Sequence, residues 1–337
     1  MNDSPAHEQP RKLLTFSSGG WVILLSLFFT GLAAVLVGWP IIATRGERAI
    51  GDGQRIDTYG FGLGNLTVKR DVLVASGFAK DGIRALTQDL VDTITPAEVE
   101  LINKNERGNF LIDPDRVIGV SIGGEARAYP LRVLNQHEIV NDVVGGVPVA
   151  ITYHPLCDSA VVVDRRDKNG QVRVFGVSGL LYNSNLVMYD RQKDQKDESL
   201  WVQLLFKPIA GPAVTRGDVL ERVPFRLARW SDWRVENPGT TVLRGQRVLK
   251  KEYRRDPYAP YFANDDLKFA VSPLWTDARL ERKARIVAVP QADGTWLVHD
   301  GRKLSRPDAL FDPAAPQVHA CIFAWHAMHA GRYKLAD

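Results

Sequence analysis

"RVIGVSIGGEARAYPL", Arg116 to Leu131, alternates apolar and polar side chains on either side of Gly123-Gly124. Alternation with a period of two marks a strand with one buried face, and a glycine pair supplies the positive φ angles of a tight two-residue turn. The stretch reads as a β-hairpin. The residues that follow read the same way: "GVPVAITY", "SAVVVDRR", a turn at Asn169-Gly170, "QVRVFGVSG", "NLVMYDRQ" and "SLWVQLL". Between Val117 and Leu205 the expected structure is therefore mostly sheet. Only "LRVLNQHEIVND" interrupts it, because Leu131, Leu134, His137 and Glu138 are spaced for one helix face, with His137 on or beside the apolar side.

Upstream, "TPAEVELINKN" has Thr95 as N-cap, Pro96 at the first helical position and Glu98 three residues after the cap. That is a capping box, and a short helix is expected to start there. "NLTVKRDVLVASGF" reads as extended and "DGIRALTQDLVD" as turn then helix. Downstream come a helix at "RWSDWRVENP", a strand at "TVLRG", an aromatic loop "DPYAPYFAND" and strands at "ARIVAVP" and "TWLVHD". The closing "VHACIFAWHAMHAG" is apolar with three histidines, and a helical reading sets Cys321 on the face of His329. No internal repeat or low-complexity tract is present. The expected class is α+β, predominantly antiparallel β with a few short helices, in one domain over residues 76–333.

Before that domain stands "WVILLSLFFTGLAAVLVGWPIIA", Trp21 to Ala43, uncharged and with Trp21 and Trp39 near its ends. As a helix it would be about 35 Å long, against a hydrocarbon core of about 30 Å. It exceeds the apolar region of a cleaved signal peptide and has no small-x-small exit, so an uncleaved transmembrane signal anchor is expected. Residues 1–20 would be a short cytoplasmic tail and 44–75 a connecting segment. The main domain would lie on the periplasmic or extracellular side of the inner (cell) membrane, although Arg11 and Lys12 face Arg45 and Arg48 across the span and charge gives no direction.

The 337 residues are 45% hydrophobic, enough for a large core, which excludes a disordered tail protein. A net charge of +4 is small for this length. The one basic cluster, Arg244 to Arg255, reads as a solvated face, and no recognition-helix, zinc-finger or RNA-binding signature accompanies it. Nucleic acid is not an expected partner.

With only two cysteines there is no disulfide framework, and whether Cys157 and Cys321 meet stays open. Cys157 sits in "YHPLC", where His154-x-x-Cys157 is joined by Pro155, so that one tight turn can aim both side chains into a pocket. Imidazole with thiolate suits copper or zinc rather than magnesium or calcium. Further donors are His137, His319, His326, His329, Met188 and Cys321, although Met188 in "LVMYD" reads as core. A metal-free alternative uses Cys157 as nucleophile, with His154, or His137 with Glu138 or Asp142, as base; in a metal oxidoreductase Glu138 or Asp142 would move protons. "GVSG" is not a nucleophile elbow, since its second glycine comes one position early.

Several phrases together carry a resemblance: "GEARAYPLRVLNQHEIVND", "GGVPVAITYHPLCDSAVVVDR", "FGVSGLLYNSNLVMYDR", "SLWVQ", "DPYAPYF" and "FAWHAMH". From about Ser76 to Tyr333 the chain resembles a widespread prokaryotic family whose domain has no established activity. Family members commonly carry cysteine where this chain has His154, so a C-x-x-C becomes H-x-x-C. That departure removes the resolving thiol of a disulfide-exchange reading and suits a metal site. The resemblance also implies roles for His137, in the H-E-I-V-N-D phrase, and for His329, and it agrees with an outward-facing domain.

The leading expectation is a membrane-anchored extracytoplasmic protein with a transition-metal site, copper first and zinc second, built from His137, His154, Cys157 and His329. Tyr182, Asn183 and Ser184 would form its wall, and the partner would be an envelope redox or metal-handling protein. Two alternatives stand beside it. One is an enzyme with Cys157 as nucleophile and no metal. The other is a module binding envelope proteins or glycans through "DPYAPYF", Trp201, Trp230 and Trp233.

Overall fold

The hairpin read from Arg116–Leu131 is present: β3 (Arg116–Ile122) pairs antiparallel with β4 (Glu125–Pro130), and Gly123 and Gly124 turn between them at φ 57° and 84°. The structure is a computed structural model that describes residues 49–303 and 315–336 apart from positions 107, 247, 248 and 250. The expected anchor, 21–43, and the tail before it lie outside the described residues. Among the described residues no helix is long and apolar enough to cross a membrane.

Among the described residues seventeen strands, numbered in chain order, form three sheets. The hairpin belongs to a five-stranded sheet in the order β12-β3-β4-β13-β2, with β2 at Thr93–Ile94, β12 at Arg226–Arg229 and β13 at Thr241–Leu243. A seven-stranded sheet runs β17-β15-β14-β16-β7-β6-β5. Its members are β5 (Ile139–Val144), β6 (Val147–His154), β7 (Ser159–Asp164), β14 (Arg285–Pro290), β15 (Trp296–Asp300), β16 (Val318–Cys321) and β17 (Tyr333–Leu335). The third sheet, β1-β8-β9-β10-β11, comprises β1 (Leu73–Ala75), β8 (Phe175–Tyr182), β9 (Asn185–Asp190), β10 (Leu200–Val202) and β11 (Lys207–Ala210). Pairing is antiparallel except for β13 on β4 and β17 on β15.

The β5–β6–β7 part of the seven-stranded sheet is buried on both faces. Ile151, Tyr153 and Val162 pack with Val117, Leu134 and Trp233 in one core. Their strand neighbours Ala150, Val161 and Val163 pack with Phe175, Met188 and Trp201 in another. Burial on two faces is why β6 and β7 read as near-continuous apolar runs instead of alternating. A third cluster lies on the outer face of the β8–β9 sheet, where Tyr59, Val72 and Leu73 cover Leu180, Val187 and Tyr189.

Among the described residues six short helices join the sheets: α1 (Pro96–Asn105), α2 (Leu131–His137), α3 (Pro212–Arg216), α4 (Trp230–Glu236), α5 (Ala259–Phe262) and α6 (Ile322–His329). The capping box of α1 is complete: the Glu98 N–H donates to Thr95 Oγ1 at 3.3 Å and the Thr95 N–H to Glu98 Oε2 at 2.7 Å. The class is α+β, mostly antiparallel sheet.

Three local expectations are corrected. "DGIRALTQDLVD" forms only a 3-10 turn at Gln88–Leu90, because Leu86 bonds to β5 through Ile139 O and the Asn141 N–H. Strand pairing takes the backbone groups that a helix would need. "VHACIFAWHAMH" is not one helix: Cys321 ends β16 and α6 starts after it, so Cys321 and His329 do not share a helix face. Finally, Trp201, Trp230 and Trp233 are core residues, 0%, 2% and 2% exposed, and form no contact surface.

Candidate functional site

His154 ends β6, and Pro155–Cys157 form a single 3-10 turn before β7. Opposite this turn stands the tip of the β8–β9 hairpin, Asn183-Ser184, with φ 49° and 64°. Two positive φ angles between paired strands make a tight hairpin turn, and the non-glycine Ser184 occupies it at a conformational cost. Its carbonyl points into the turn. His154 Nε2 donates to Ser184 O at 3.1 Å, and the Cys157 thiol approaches the same oxygen at 3.0 Å. Imidazole and thiol thus converge on one backbone acceptor.

Glu138 holds the other side of the imidazole. It caps α2 at φ 56°, its N–H bonded to Leu134 O, and its Oε1 lies 3.2 Å from His154 Nδ1. Asp158, next to Cys157, is also left-handed at φ 42°. Strained backbone of this kind persists where surrounding contacts over-determine it, and it clusters at functional sites. Glu138, Asp158, Asn183 and Ser184 all carry it, and Glu138 and Ser184 contact His154 directly.

Two buried polar networks brace the turn, and neither was legible in the sequence. Asn185 Nδ2 donates to Ser159 Oγ and Gln203 Oε1, and Gln203 Nε2 donates to Thr152 Oγ1 at 3.0 Å. Asp158 receives a bidentate pair from Arg116 at 2.8 and 2.9 Å, a bond from the Tyr153 hydroxyl at 2.7 Å and a further ion pair from Arg285. The two arginines hold its carboxyl down at about 2 despite burial. The only sequence signal was the polar residue in an apolar strand, as at Thr152 and Asn185.

Burial pushes the Cys157 thiol well above its ordinary value, against the opposing contacts of Asn185 and Ser184. Both cysteines are buried and unpaired. Beside His154 and Glu138 opens a cavity of about 50 Å³, its wall completed by Leu156, Tyr258 and Lys268.

The other expected residues lie elsewhere. His137 is a satisfied core histidine, with Nδ1 at 2.7 Å from Arg84 O and Nε2 at 2.6 Å from the Tyr253 hydroxyl, and burial lowers its pKa. His329 donates from Nε2 to Leu204 O at 2.8 Å, stacks on Trp325 and is depressed to about 4 by burial. Asp142 is engaged by Arg127 and by the Tyr129 hydroxyl at 2.7 Å. Tyr182 pairs with Leu73 across β1 and β8, and Asn183 Oδ1 accepts from the Ser272 N–H at 2.8 Å. The structure therefore brings together His154, Cys157, Glu138 and Ser184, and not His137, His329 or Asp142. Among the described residues no three His, Cys, Asp or Glu side chains are grouped to hold a metal ion.

Fold and site together define an α+β protein of three sheets with a buried imidazole–thiol turn flanked by left-handed residues. The chain belongs to the family described as "Protein of unknown function (DUF3179)", which matches residues 83–331. Neither the curated proteins nor the solved structures contain a match to it.

Proposed function

We propose that this is a membrane-anchored extracytoplasmic protein that binds copper, with zinc second, in a redox or metal-handling role. The observation that carries the reading is the convergence of His154 Nε2 and Cys157 Sγ on Ser184 O at 3.1 and 3.0 Å. Loss of the two donor protons to a cation would leave an imidazole nitrogen, a thiolate and a backbone carbonyl facing one point. Soft sulfur with nitrogen and a weak oxygen favours copper. Glu138 then has the role common in metal sites, accepting from the far ring N–H and fixing the tautomer. A two-side-chain set is consistent with His137 and His329 having other partners.

The metal-free nucleophile reading has less support, because nucleophilic cysteines have depressed pKa values and Cys157 is pushed the other way. A cation at Sγ would offset that cost of burial, since a coordinating thiol is deprotonated outright.

The test is metal content by mass spectrometry on the full chain, purified without a histidine tag and supplied with copper or zinc. Near-stoichiometric copper that His154→Ala and Cys157→Ala both remove is the expected result. Glu138→Gln is expected to weaken affinity by about 10–100-fold. A folded wild type that retains neither metal overturns the reading.

A further inference from the structure

Asp158 also lines a second cavity, of about 270 Å³. Arg116, Arg229, Arg285 and His319 line it, with Leu227 and Ile286 supplying an apolar wall. Asp158 is the one carboxylate there, and it is already saturated by Arg116, Arg285 and Tyr153. Three guanidinium groups against one carboxylate leave two positive charges without a counter-ion in the cavity.

The donors that remain point to a ligand. Arg116 spends both Nη groups on Asp158, but Arg285 reaches it through Nε, which leaves its Nη groups available. Arg229, at the end of β12, is paired through its backbone with β3, but its side chain has no ion-pair or hydrogen-bond partner among the described residues. His319 in β16 is only 5% exposed, yet its Nε2 has no hydrogen-bond partner. Buried polar groups are nearly always satisfied, so an orphan in a cationic cavity marks a place where an acceptor belongs. Burial depresses His319 to about 4, so at neutral pH the ring is uncharged and able to present an N–H.

We propose that this cavity binds a small organic dianion bearing carboxylates, whose charged oxygens meet Arg229, Arg285 and His319 while its carbon body lies on Leu227 and Ile286. Guanidinium forks suit planar carboxylates. The volume falls just below the range of about 300–1,000 Å³ usual for drug-sized ligands, which fits a small metabolite. The assignment uses no residue of the proposed copper set and stands or falls apart from it.

Calorimetric titration of the full chain with succinate, inorganic phosphate and the neutral diamide of succinate tests it. Saturable one-to-one succinate binding is expected, at least tenfold tighter than phosphate, with none for the diamide. Arg285→Gln and His319→Phe are each expected to weaken succinate by about tenfold. Arg285→Gln also loosens Asp158, so Arg229→Gln, exposed and unpaired, is the variant that leaves the fold intact and still weakens binding tenfold. No saturable succinate binding by the folded wild type overturns the proposal, as does binding that Arg229→Gln leaves within twofold. Phosphate binding as tight as succinate removes the role given to the apolar wall and overturns the organic class.

Discussion

At the scale of single residues, two buried titratable groups give this fold opposing pH dependences. Asp190 is 1% exposed; Oδ1 accepts from the Ser199 N–H at 2.6 Å, while Oδ2 has no bond, the Trp201 indole lying near it outside hydrogen-bond geometry. Desolvation raises its carboxyl to about 6. The folded chain therefore keeps a proton that the unfolded chain releases near pH 4, so this contribution is full below pH 4 and lost as pH rises through 6. Asp190→Asn keeps the acceptor and removes the titration. Its stability relative to wild type should rise by about 3 kcal/mol between pH 4 and 7, read by urea unfolding. His329, depressed to about 4, runs the other way: its neutral form stabilises fully above pH 6.5, and that contribution is lost as pH falls toward 4. His329→Gln should flatten the acid limb by about one proton, roughly 1.4 kcal/mol per pH unit. An unchanged acid slope would count against burial as the cause. These residues also show what a sequence conceals. His154 and Cys157 could be paired on paper because one turn separates them, whereas Glu138 and Ser184 join them only through sheet register. His329, expected among the ligands, is held by a carbonyl that lies 125 positions away.

At the scale of elements, the β8–β9 hairpin tip carries a cost that its contacts sustain. Ser184 is fully buried at φ 64°, and its hydroxyl has no partner. Ser184→Gly removes both the left-handed penalty and the unsatisfied hydroxyl, offset by glycine's greater freedom when unfolded. A net gain of about 1 kcal/mol is expected, with copper retention unchanged because the backbone carbonyl remains; a loss of stability would show that the hydroxyl is satisfied by bound water. The β3 strand gives the opposite case. A Cβ on Gly119 would sit 2.3 Å from Trp233 Cε3, since α4 lays its indole directly on the strand. Gly119→Ala should cost about 1–3 kcal/mol, measured as a lowered urea midpoint with unchanged m. Elements whose signals are local were legible: the Gly123-Gly124 hairpin, the Thr95–Glu98 capping box, and the strands from Val147 to Val202. The segment around Leu86 was not, because its backbone pairs with Ile139 and Asn141, more than fifty positions on. Long-range pairing overrides local propensity in that way.

At the scale of the whole molecule, the family match and the folding unit do not coincide. The match covers residues 83–331, whereas Ile50–Asp337 form one compact unit. Between Ile50 and Gly82 lie Tyr59, Val72 and Leu73, all buried against the outer face of the β8–β9 sheet, and strand β1, which pairs with β8. Lys80 forms an ion pair with the equally buried Glu198 at 2.5 Å, and β17, beyond residue 331, pairs with β15. A chain cut to 83–331 would bare the edge of β8, strip three large side chains from one core and strand the Glu198 charge. At about 1.5–3 kcal/mol for each buried side chain, the apolar loss alone approaches the 5–15 kcal/mol total of a typical domain. An exposed strand edge is also a template for association. We therefore expect residues 83–331 to aggregate or to unfold far below the melting temperature of residues 50–337, which should melt in one cooperative transition. Equal melting temperatures and a monomeric 83–331 fragment would show that the covering segment is an accessory. The expected outcome would make it part of the fold, holding the β8–β9 sheet whose hairpin tip presents the Ser184 carbonyl to His154 and Cys157.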